Sequence, residues 1–368
     1  MKQKLNIKRI IASVARTLLG VVFIFSGFVK AVDPLGTVYK IEDYLKAFGG
    51  FFTDLLPLAT AAAVGMIALE FVLGVCMLLN VRTKCTAWLA ILFYLVMTPL
   101  TLYVALNNPV SDCGCFGDAI VISNWQTFWK NVILLTLALL LLIWRKEIQQ
   151  LWSGIAELGI LLLAIGGVSG VMGHAYTHLP MMDFRPYKVG NNIPELMEAG
   201  EADQYEYYLV YEKDGVEQTF TLTDYPKNDS TWSFVRQENV LIKEGTEAPI
   251  HDFEIITSEG DDITWDVLES ENPVTLIIMY DLVKADKQQM EKVHTLYENC
   301  YNNMQQCYIL TGSGTDEIIA FNLEYPALSE SICSCDPITL KTIVRANPGV
   351  IVVQNGTVID KYNIKNRN

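Results

Sequence analysis

Eight cysteines are the residues of this 368-residue chain best suited to chemistry, and two of them form the tight motif Cys113-Gly114-Cys115. A disulfide between them would close a very small ring, a geometry that favours exchange over permanent cross-linking. Metal binding is a second interpretation, although two thiolates are two ligands short of a tetrahedral site and no histidine lies nearby. A third interpretation is a structural tight loop, which Gly114 and Gly117 favour.

The sequence around this motif offers little to activate a thiol. No lysine, arginine or histidine occurs within the loop, and Asp112 and Asp118 would raise a thiol pKa. Asp112 is a candidate proton acceptor during exchange, and the alternative is that both aspartates are solvated loop residues.

Four further cysteines occur near the carboxyl end of the chain. Cys300 and Cys307 are predicted to close a helix and to open a strand, and Cys333 and Cys335 lie two residues apart on another strand. Residues at i and i+2 of a strand share a face, so the last two can form a second reactive pair. Two interpretations fit these four cysteines. They can form two structural disulfides, for which three connectivities exist, or they can act as a redox relay. A metal site is a weaker third interpretation, and we expect none.

Five apolar runs approach the roughly 20 residues that a membrane-spanning helix needs. They lie near 10–30, 58–80, 86–106, 125–144 and 153–173. The first is too long for a cleavable signal peptide, and no small-x-small cleavage site precedes the next polar stretch. Apolar residues make up 51% of the chain and charged residues only 18%. That composition is unusual for a soluble protein and indicates a membrane protein.

Basic residues next to the spans predict the orientation, because cytoplasmic loops are enriched in lysine and arginine. They form three groups that share one side of the membrane: Lys2, Lys4, Lys8 and Arg9; Arg82 and Lys84; and Arg145 and Lys146. The loops 31–57 and 107–124, and everything after residue 173, then lie outside the cytoplasm, although Lys40, Lys46 and Lys130 depart from the rule. Disulfides persist on that side, which contains six of the eight cysteines. Cys76 and Cys85 lie near the cytoplasmic face and are expected to be reduced.

Charged residues inside the spans are costly and therefore need an explanation. Arg16 and Glu70 both fall in the apolar runs, and we expect them to pair, either as a functional site or as a structural clamp between two helices. Lys30 and Asp33 end the first span and are expected to lie close together at the outer surface. A proton or small-molecule pathway around Arg16 and Glu70 is a weaker alternative.

The membrane half resembles known families in several motifs that occur in the right order. The stretch from Arg16 through Gly20, Gly27 and Lys30 to Pro34 is similar to the opening of the DoxX family. Glu70 with Gly74 resembles the second helix of that family, and Cys-Gly-Cys-Phe-Gly before the fourth span resembles its MauE branch of methylamine utilisation. The resemblance covers about residues 1–145 and implies a four-helix membrane bundle that supports disulfide formation or maturation of exported proteins. The fifth span is an addition to that pattern.

The carboxyl-terminal half is acidic, which indicates a solvated domain. Residues 1–173 carry a net charge of +4 and residues 174–368 a net charge of −18, which argues against nucleic acid as a partner. His174 and His178 are at i and i+4 just beyond the fifth span, where an interfacial pair is favoured over a metal site. Alternation over residues 205–223 predicts a β-hairpin, and residues 231–242 predict another strand.

From residue 246 the chain is similar to the thioredoxin-like fold in its TlpA and peroxiredoxin branch. The resemblance rests on the order of strands and helices, with strands at 274–280, 307–311, near 330–335 and 350–353, and helices near 284–301, 315–323 and 337–345. It implies that Pro348 is the cis-proline before a central strand. The usual Cys-x-x-Cys is replaced by Tyr280-Asp281-Leu282-Val283-Lys284, which excludes ordinary thioredoxin chemistry at that place.

Together these patterns predict four segments: a DoxX/MauE-like bundle (1–150), a fifth transmembrane helix (151–173), a strap and β-hairpin region (174–245) and a degenerate thioredoxin-like domain (246–368). We expect a protein of the bacterial inner membrane, with a cytoplasmic amino terminus and a periplasmic carboxyl-terminal domain. Its expected function is thiol–disulfide redox chemistry at Cys113 and Cys115, as an oxidoreductase. Expected partners are the lipid bilayer and exported protein thiols or an envelope redox protein, and a membrane quinone is a candidate electron acceptor. The alternative is a non-catalytic subunit or chaperone of an envelope complex.

Overall fold

A computed structural model of the protein describes residues 7–110, 113–149, 151–201, 204–227, 229–243, 245 and 248–367. Lys2 and Lys4, used above for the orientation, and Asp112, the candidate proton acceptor, lie outside these ranges. The chain forms two compact units, the first ending at Arg185 and the second beginning at Pro186.

The first unit is built from helices, and five of them are long and apolar enough to cross a membrane. In chain order its helices are α1 (Ile7–Val32), α2 (Pro34–Phe48), α3 (Ala59–Leu78), α4 (Thr83–Asn107), α5 (Asn124–Trp144) and α6 (Gly154–Thr177). All except α2 coincide with the predicted spans to within a few residues, so the prediction of a bundle of five apolar helices is confirmed. Sequence patterning missed α2, which lies in the predicted outer loop 31–57.

Local chemistry explains where α2 begins and ends. Asp33 caps its first turn by accepting a hydrogen bond from the amide of Gly36 at 3.1 Å, and Pro34 occupies the first helical position, where no amide is needed. Gly49 follows the last residue with a φ of +62°, a conformation that glycine adopts without strain. These signals turn the chain sharply after α1 and lay a separate 15-residue helix against the bundle.

Small residues set the contact between α1 and α3, which run antiparallel. A Cβ atom on Gly27 would lie 2.6 Å from the amide nitrogen of Phe71, and one on Gly74 would lie 2.5 Å from that of Ile24. The two backbones therefore touch, as is typical of helix packing in membranes. Because residue 27 lies opposite residue 71, the residue level with Glu70 is close to position 28.

The second unit contains two sheets and five short helices. Its strands are β1 (Gln204–Lys213), β2 (Val216–Thr221), β3 (Ser233–Lys243), β4 (Ile256–Thr257), β5 (Val274–Ile278), β6 (Cys307–Thr311), β7 (Ile332–Ser334), β8 (Gly349–Gln354) and β9 (Thr357–Asn363). Its helices are α7 (Ile193–Glu198), α8 (Thr264–Leu268), α9 (Met290–Asn302), α10 (Thr315–Glu324) and α11 (Pro337–Ile343). Helix α9 begins later than predicted because a short 3₁₀ segment, Lys287–Gln289, precedes it, capped by Asp286.

The smaller sheet has the strand order β2-β1-β3 and is antiparallel throughout. Asp214 and Gly215, both with positive φ, form the turn between β1 and β2, which confirms the predicted hairpin. Every residue of β3 is exposed to solvent within this unit.

The larger sheet has the order β4-β7-β6-β5-β8-β9. Strands β5, β6 and β7 are parallel, whereas β8 is antiparallel to β5 and β9 returns antiparallel to β8. All five residues of β5 are buried, as expected for a central strand covered on both faces. Asn347–Pro348, immediately before β8, is a cis peptide bond.

Candidate functional site

The Cys-Gly-Cys motif lies in the loop that joins α4 to α5, and its backbone requires the central glycine. Gly114 has a φ of +64°, and a Cβ atom there would lie 2.9 Å from Cγ of Lys40 in α2. The hydroxyl of Tyr44, also in α2, donates a hydrogen bond to the carbonyl of Cys113 at 3.3 Å. The unpredicted helix α2 therefore supports the loop and holds its turn in place.

The two thiols of the motif face each other. The sulfur atoms of Cys113 and Cys115 are 3.2 Å apart, against about 2.05 Å in a disulfide bond. Both cysteines are reduced in this structure and are partly buried. The backbone of the loop therefore brings the sulfurs to a separation from which one covalent bond can form with little movement.

Two lysines from neighbouring helices supply the positive charge that the loop lacks. The ammonium of Lys130 in α5 lies over the ring of Phe116, 4.3 Å from its centroid, and acts electrostatically on the neighbouring Cys115. The ammonium of Lys30 in α1 also acts electrostatically on Cys115. Both charges favour a thiolate at this sulfur.

The two thiols consequently differ in acidity. The hydrogen bond from Cys113, followed by the charges of Lys130 and Lys30, lowers the pKa of Cys115 to about 6 against the opposing effect of burial. The same thiol–thiol contact, together with burial, raises the pKa of Cys113 well above its ordinary value. Cys115 is therefore the thiolate of the pair near neutral pH, and Cys113 retains its proton.

Glu70 pairs with Lys30 and not with Arg16, so the predicted Arg16–Glu70 pair is wrong. The ammonium of Lys30 donates to both oxygens of the Glu70 carboxylate at 2.7 and 2.9 Å, and both side chains are buried. The register of α1 on α3 explains the choice, because Lys30 is near the level of Glu70, whereas Arg16 lies near the last residues of α3. Arg16 instead donates to the carbonyls of Met77 and Leu78 at the carboxyl end of α3, where a cation is favourable.

The two charged residues at the end of the first span have separate roles. Lys30 is directed into the bundle and is only 6% exposed, while Asp33 serves as the cap of α2. The expectation placed Lys30 at the outer surface, whereas the structure buries it beside Glu70, the carboxylate partner that a buried ammonium requires.

Ser26 connects this buried ion pair to the cysteine loop. Its hydroxyl lies 2.7 Å from a carboxylate oxygen of Glu70 and 2.7 Å from the carbonyl oxygen of Cys115, and it accepts a hydrogen bond from Lys30 at 3.1 Å. The polar groups inside α1 and α3 thus anchor the backbone that presents the Cys115 thiol.

A cavity of about 130 Å³ lies between the helices next to these groups. Cys113 and Cys115 border it, as do Lys30, Glu70 and Lys130. Its apolar wall includes Phe23, Phe93, Tyr94, Met97 and Phe116. The thiol pair therefore has an apolar compartment within the membrane half beside it.

The four cysteines of the second unit behave as one close pair and two isolated thiols. The neighbouring thiol of Cys307 lowers the pKa of Cys300 to about 6, while the Cys300 thiol and burial raise the pKa of Cys307. Burial raises the pKa of Cys333 to about 11 and that of Cys335 to about 12. All four are reduced in this structure.

The remaining predicted site residues are also located. The segment Tyr280–Lys284 follows β5 and is free of cysteine, and Asp281 forms an ion pair with Lys284 at 2.8 Å. His174 and His178 stack in parallel with ring centroids 4.6 Å apart. Among the residues that the structure describes, no group of three or more histidines, cysteines or acidic residues is placed to bind a metal ion. Asp118 is exposed.

Sequence reasoning missed Lys130, Tyr44 and Tyr94 as members of this site. One signal was available for Lys130, because this lysine contradicts the charge rule used for orientation and lies one and a half turns inside α5. A cation on the side where the rule does not expect one needs a separate cause, and its contact with Cys115 provides it.

Two family models match parts of the chain, one in each unit. Residues 8–144 match the model of the family described as methylamine utilisation protein MauE. A domain of unknown function (DUF8463) matches residues 205–244. No curated protein and no solved structure matches the chain. The first four apolar helices, with the cysteine loop, thus form a MauE-like membrane bundle, while α6 lies beyond the matched residues.

Proposed function

We propose that the protein is a membrane-anchored thiol–disulfide redox protein that supports oxidation or maturation of exported proteins through Cys113 and Cys115. The observation that supports this most is the 3.2 Å approach of the two sulfurs, with the charges of Lys130 and Lys30 acting on Cys115. A structural loop needs neither two cations nor a thiol of lowered pKa, whereas exchange needs a thiolate.

The chemistry follows from the unequal acidity of the two thiols. Cys115, as thiolate, attacks one sulfur of a partner disulfide, so that one S–S bond breaks, a mixed disulfide forms and a partner thiolate leaves. Cys113 then loses its proton and attacks Cys115, which releases the second partner thiolate and closes the Cys113–Cys115 disulfide. The reverse sequence transfers the disulfide to a dithiol of an exported protein.

The arrangement of loops supports the orientation that this function needs. Arg82, Lys84, Arg145 and Lys146 surround one shared depression at the end of the bundle where α3 meets α4 and α5 meets α6. The cysteine loop joins α4 to α5 and therefore lies at the opposite end. With the basic end in the cytoplasm, the loop faces the oxidising side of a bacterial inner membrane.

We further propose that residues 246–368 form a degenerate thioredoxin-like domain that acts with this site. The strand order β4-β7-β6-β5-β8-β9 and the cis-proline before β8 support the assignment. Because the segment after β5 has no cysteine, this domain contributes binding surface or the pair Cys300–Cys307, and no thioredoxin-type dithiol.

A trapping experiment tests the proposal. The purified Cys113→Ser variant in detergent is mixed with a disulfide-containing peptide, and adducts are mapped by mass spectrometry. Because the resolving thiol is gone, we expect a mixed disulfide to accumulate at Cys115 and not in the Cys113→Ser/Cys115→Ser double variant. The matched control is Cys85→Ser, which changes an exposed cysteine at the other end of the bundle. Adducts that form equally in the double variant at other cysteines would contradict a function at this loop.

A second candidate function is a non-catalytic subunit or chaperone of an envelope complex. The observation that favours it is the three-stranded sheet of the second unit, in which all of β3 is exposed and offers a surface to a partner. Chemical crosslinking in membranes separates the two functions. A stoichiometric partner retained by the Cys113→Ser/Cys115→Ser variant supports this reading, and loss of the partner with the thiols supports exchange.

A further inference from the structure

We propose that the cavity beside Cys115 binds the ring of a membrane quinone, which accepts the two electrons of the thiol pair. This inference rests on the proposed exchange function and names the acceptor and its binding residues. Its basis is the juxtaposition of three features: a ring-sized apolar cavity, two thiols on its border, and hydrogen-bond donors on its wall.

The size and lining of the cavity fit one flat ring. Its volume of about 130 Å³ is close to that of an engineered protein cavity, about 150 Å³, that takes up benzene. Phe23, Phe93 and Tyr94 form a continuous group of edge-to-face and tilted rings, with centroids 5.3–5.4 Å apart. Aromatic walls of this kind favour a planar conjugated guest.

A donor without a partner marks one position for a ring oxygen. Tyr94 is only 3% exposed and lines the cavity, and across the described parts of the chain no hydrogen bond to its hydroxyl is formed. A buried hydroxyl normally has a partner, because leaving it unsatisfied is costly. A quinone carries two carbonyl oxygens that only accept hydrogen bonds. One of them can accept from Tyr94.

The second donor is Lys130, which lines the same cavity as Cys115 and lies over the ring of Phe116, another lining residue. An ammonium has three donors and can hold a carbonyl oxygen and the thiolate together. A lipid acyl chain could fill the apolar part of the cavity, but it would leave the Tyr94 hydroxyl unsatisfied. The combination of donors and ring-sized space favours a quinone.

The redox step balances when one proton is taken up from water. The S–H bond of Cys113 breaks, and one S–S bond forms between this sulfur and the thiolate of Cys115. Two electrons pass to the quinone, whose carbonyl oxygens gain one proton from Cys113 and one from the Lys130 ammonium, and the product is a hydroquinone. Lys130 then recovers its proton from water. The cysteine pair is thereby returned to the disulfide that oxidises the next exported dithiol.

Anaerobic quinone reduction tests the inference. The protein, reduced with dithiothreitol and desalted, is mixed with coenzyme Q1 or with menadione. The Cys113–Cys115 disulfide and the hydroquinone are quantified over time. We expect both to form in equal amounts with at least one probe, which also distinguishes a benzoquinone from a naphthoquinone.

Tyr94→Phe should slow this reaction about tenfold, since a lost hydrogen bond of about 1.4 kcal/mol corresponds to that factor. Tyr103→Phe, at an exposed position of the same helix outside the cavity lining, should not change it.

Two outcomes would overturn the inference. The first is that neither probe oxidises the thiols while exchange with the peptide disulfide continues, which leaves the proposed function intact. The second is that Tyr94→Phe and Tyr103→Phe react alike, which would place the quinone elsewhere. Peptide exchange is measured on every variant without quinone, so a misfolded variant is recognised by loss of both reactions. Photolabelling with an azidoquinone provides an independent readout, expected on α4 and α5 next to the cavity.

Discussion

Replacing Lys130 by methionine tests the central electrostatic claim, that a cation from α5 keeps Cys115 as a thiolate. Methionine retains the length of the side chain and removes its charge. An opposite charge close to an acid lowers its pKa by about 1–3 units. Lys130 shares this role with Lys30, so its loss should raise the pKa of Cys115 by about one to two units, from about 6 to about 7–8.

The assay is the pH dependence of iodoacetamide alkylation, followed on the Cys115 peptide by mass spectrometry. Only the thiolate reacts, so the midpoint of the profile follows the pKa. At pH 6 half of Cys115 is thiolate in the parent protein, and the shift should lower the alkylation rate about 5- to 50-fold. Above pH 9 the two proteins should react at similar rates, because both are then fully ionised.

Two controls define what would refute this reasoning. Lys146→Met removes an exposed lysine at the other end of the bundle and should leave the midpoint near 6. Cys300, whose pKa is also lowered to about 6 by a different partner, serves as an internal reference within each sample. A Cys115 midpoint that does not move in Lys130→Met, with folding unchanged by thermal melting, would show that the lysine does not activate the thiol.

Two further predictions concern the buried pairs. Lys30→Met should destabilise the bundle by about 3–5 kcal/mol because it leaves the Glu70 carboxylate buried without a cation. The Lys30→Met/Glu70→Leu double variant should regain most of that loss in detergent unfolding, and a double variant as unstable as the single one would argue against the pairing. Cys307→Ala, which removes the donor, should raise the alkylation midpoint of Cys300 from about 6 towards the ordinary cysteine value, whereas Cys335→Ala should leave it unchanged. Equal midpoints in both variants would contradict the thiol–thiol contact.

The sequence was sufficient for features that depend on local composition. Hydropathy located the five apolar helices, because the cost of exposing polar backbone and side chains to lipid is a property of each segment by itself. Alternation and the turn at Asp214 and Gly215 similarly located the hairpin of β1 and β2. The motif Cys113-Gly114-Cys115 could be identified as the centre of the candidate site for the same reason, since both thiols are close in sequence.

The site beyond the two cysteines could not be obtained in this way. The pairing of Glu70 depends on the register of α1 against α3, which Gly27 and Gly74 set through contacts between distant backbones. Arg16 and Lys30 are about four turns apart on α1, and a span prediction does not determine which of them lies level with Glu70. Lys130 and Tyr44 reach the loop only through tertiary packing, so a search for cations within the loop itself found none.

Helix motion is constrained by the glycine contacts between α1 and α3. A Cβ atom added at Gly27 or Gly74 would lie only 2.5–2.6 Å from the facing backbone. The two helices are therefore in direct backbone contact, which leaves no space for them to slide. Helices α4 and α5 contain no glycine, and α4 contains Pro99, which removes the amide that would bond to the carbonyl of Leu95. Met97 and Leu100, on either side of this proline, line the cavity. We therefore expect α4 to be the more deformable wall of the cavity, and α1 and α3 to form its rigid wall.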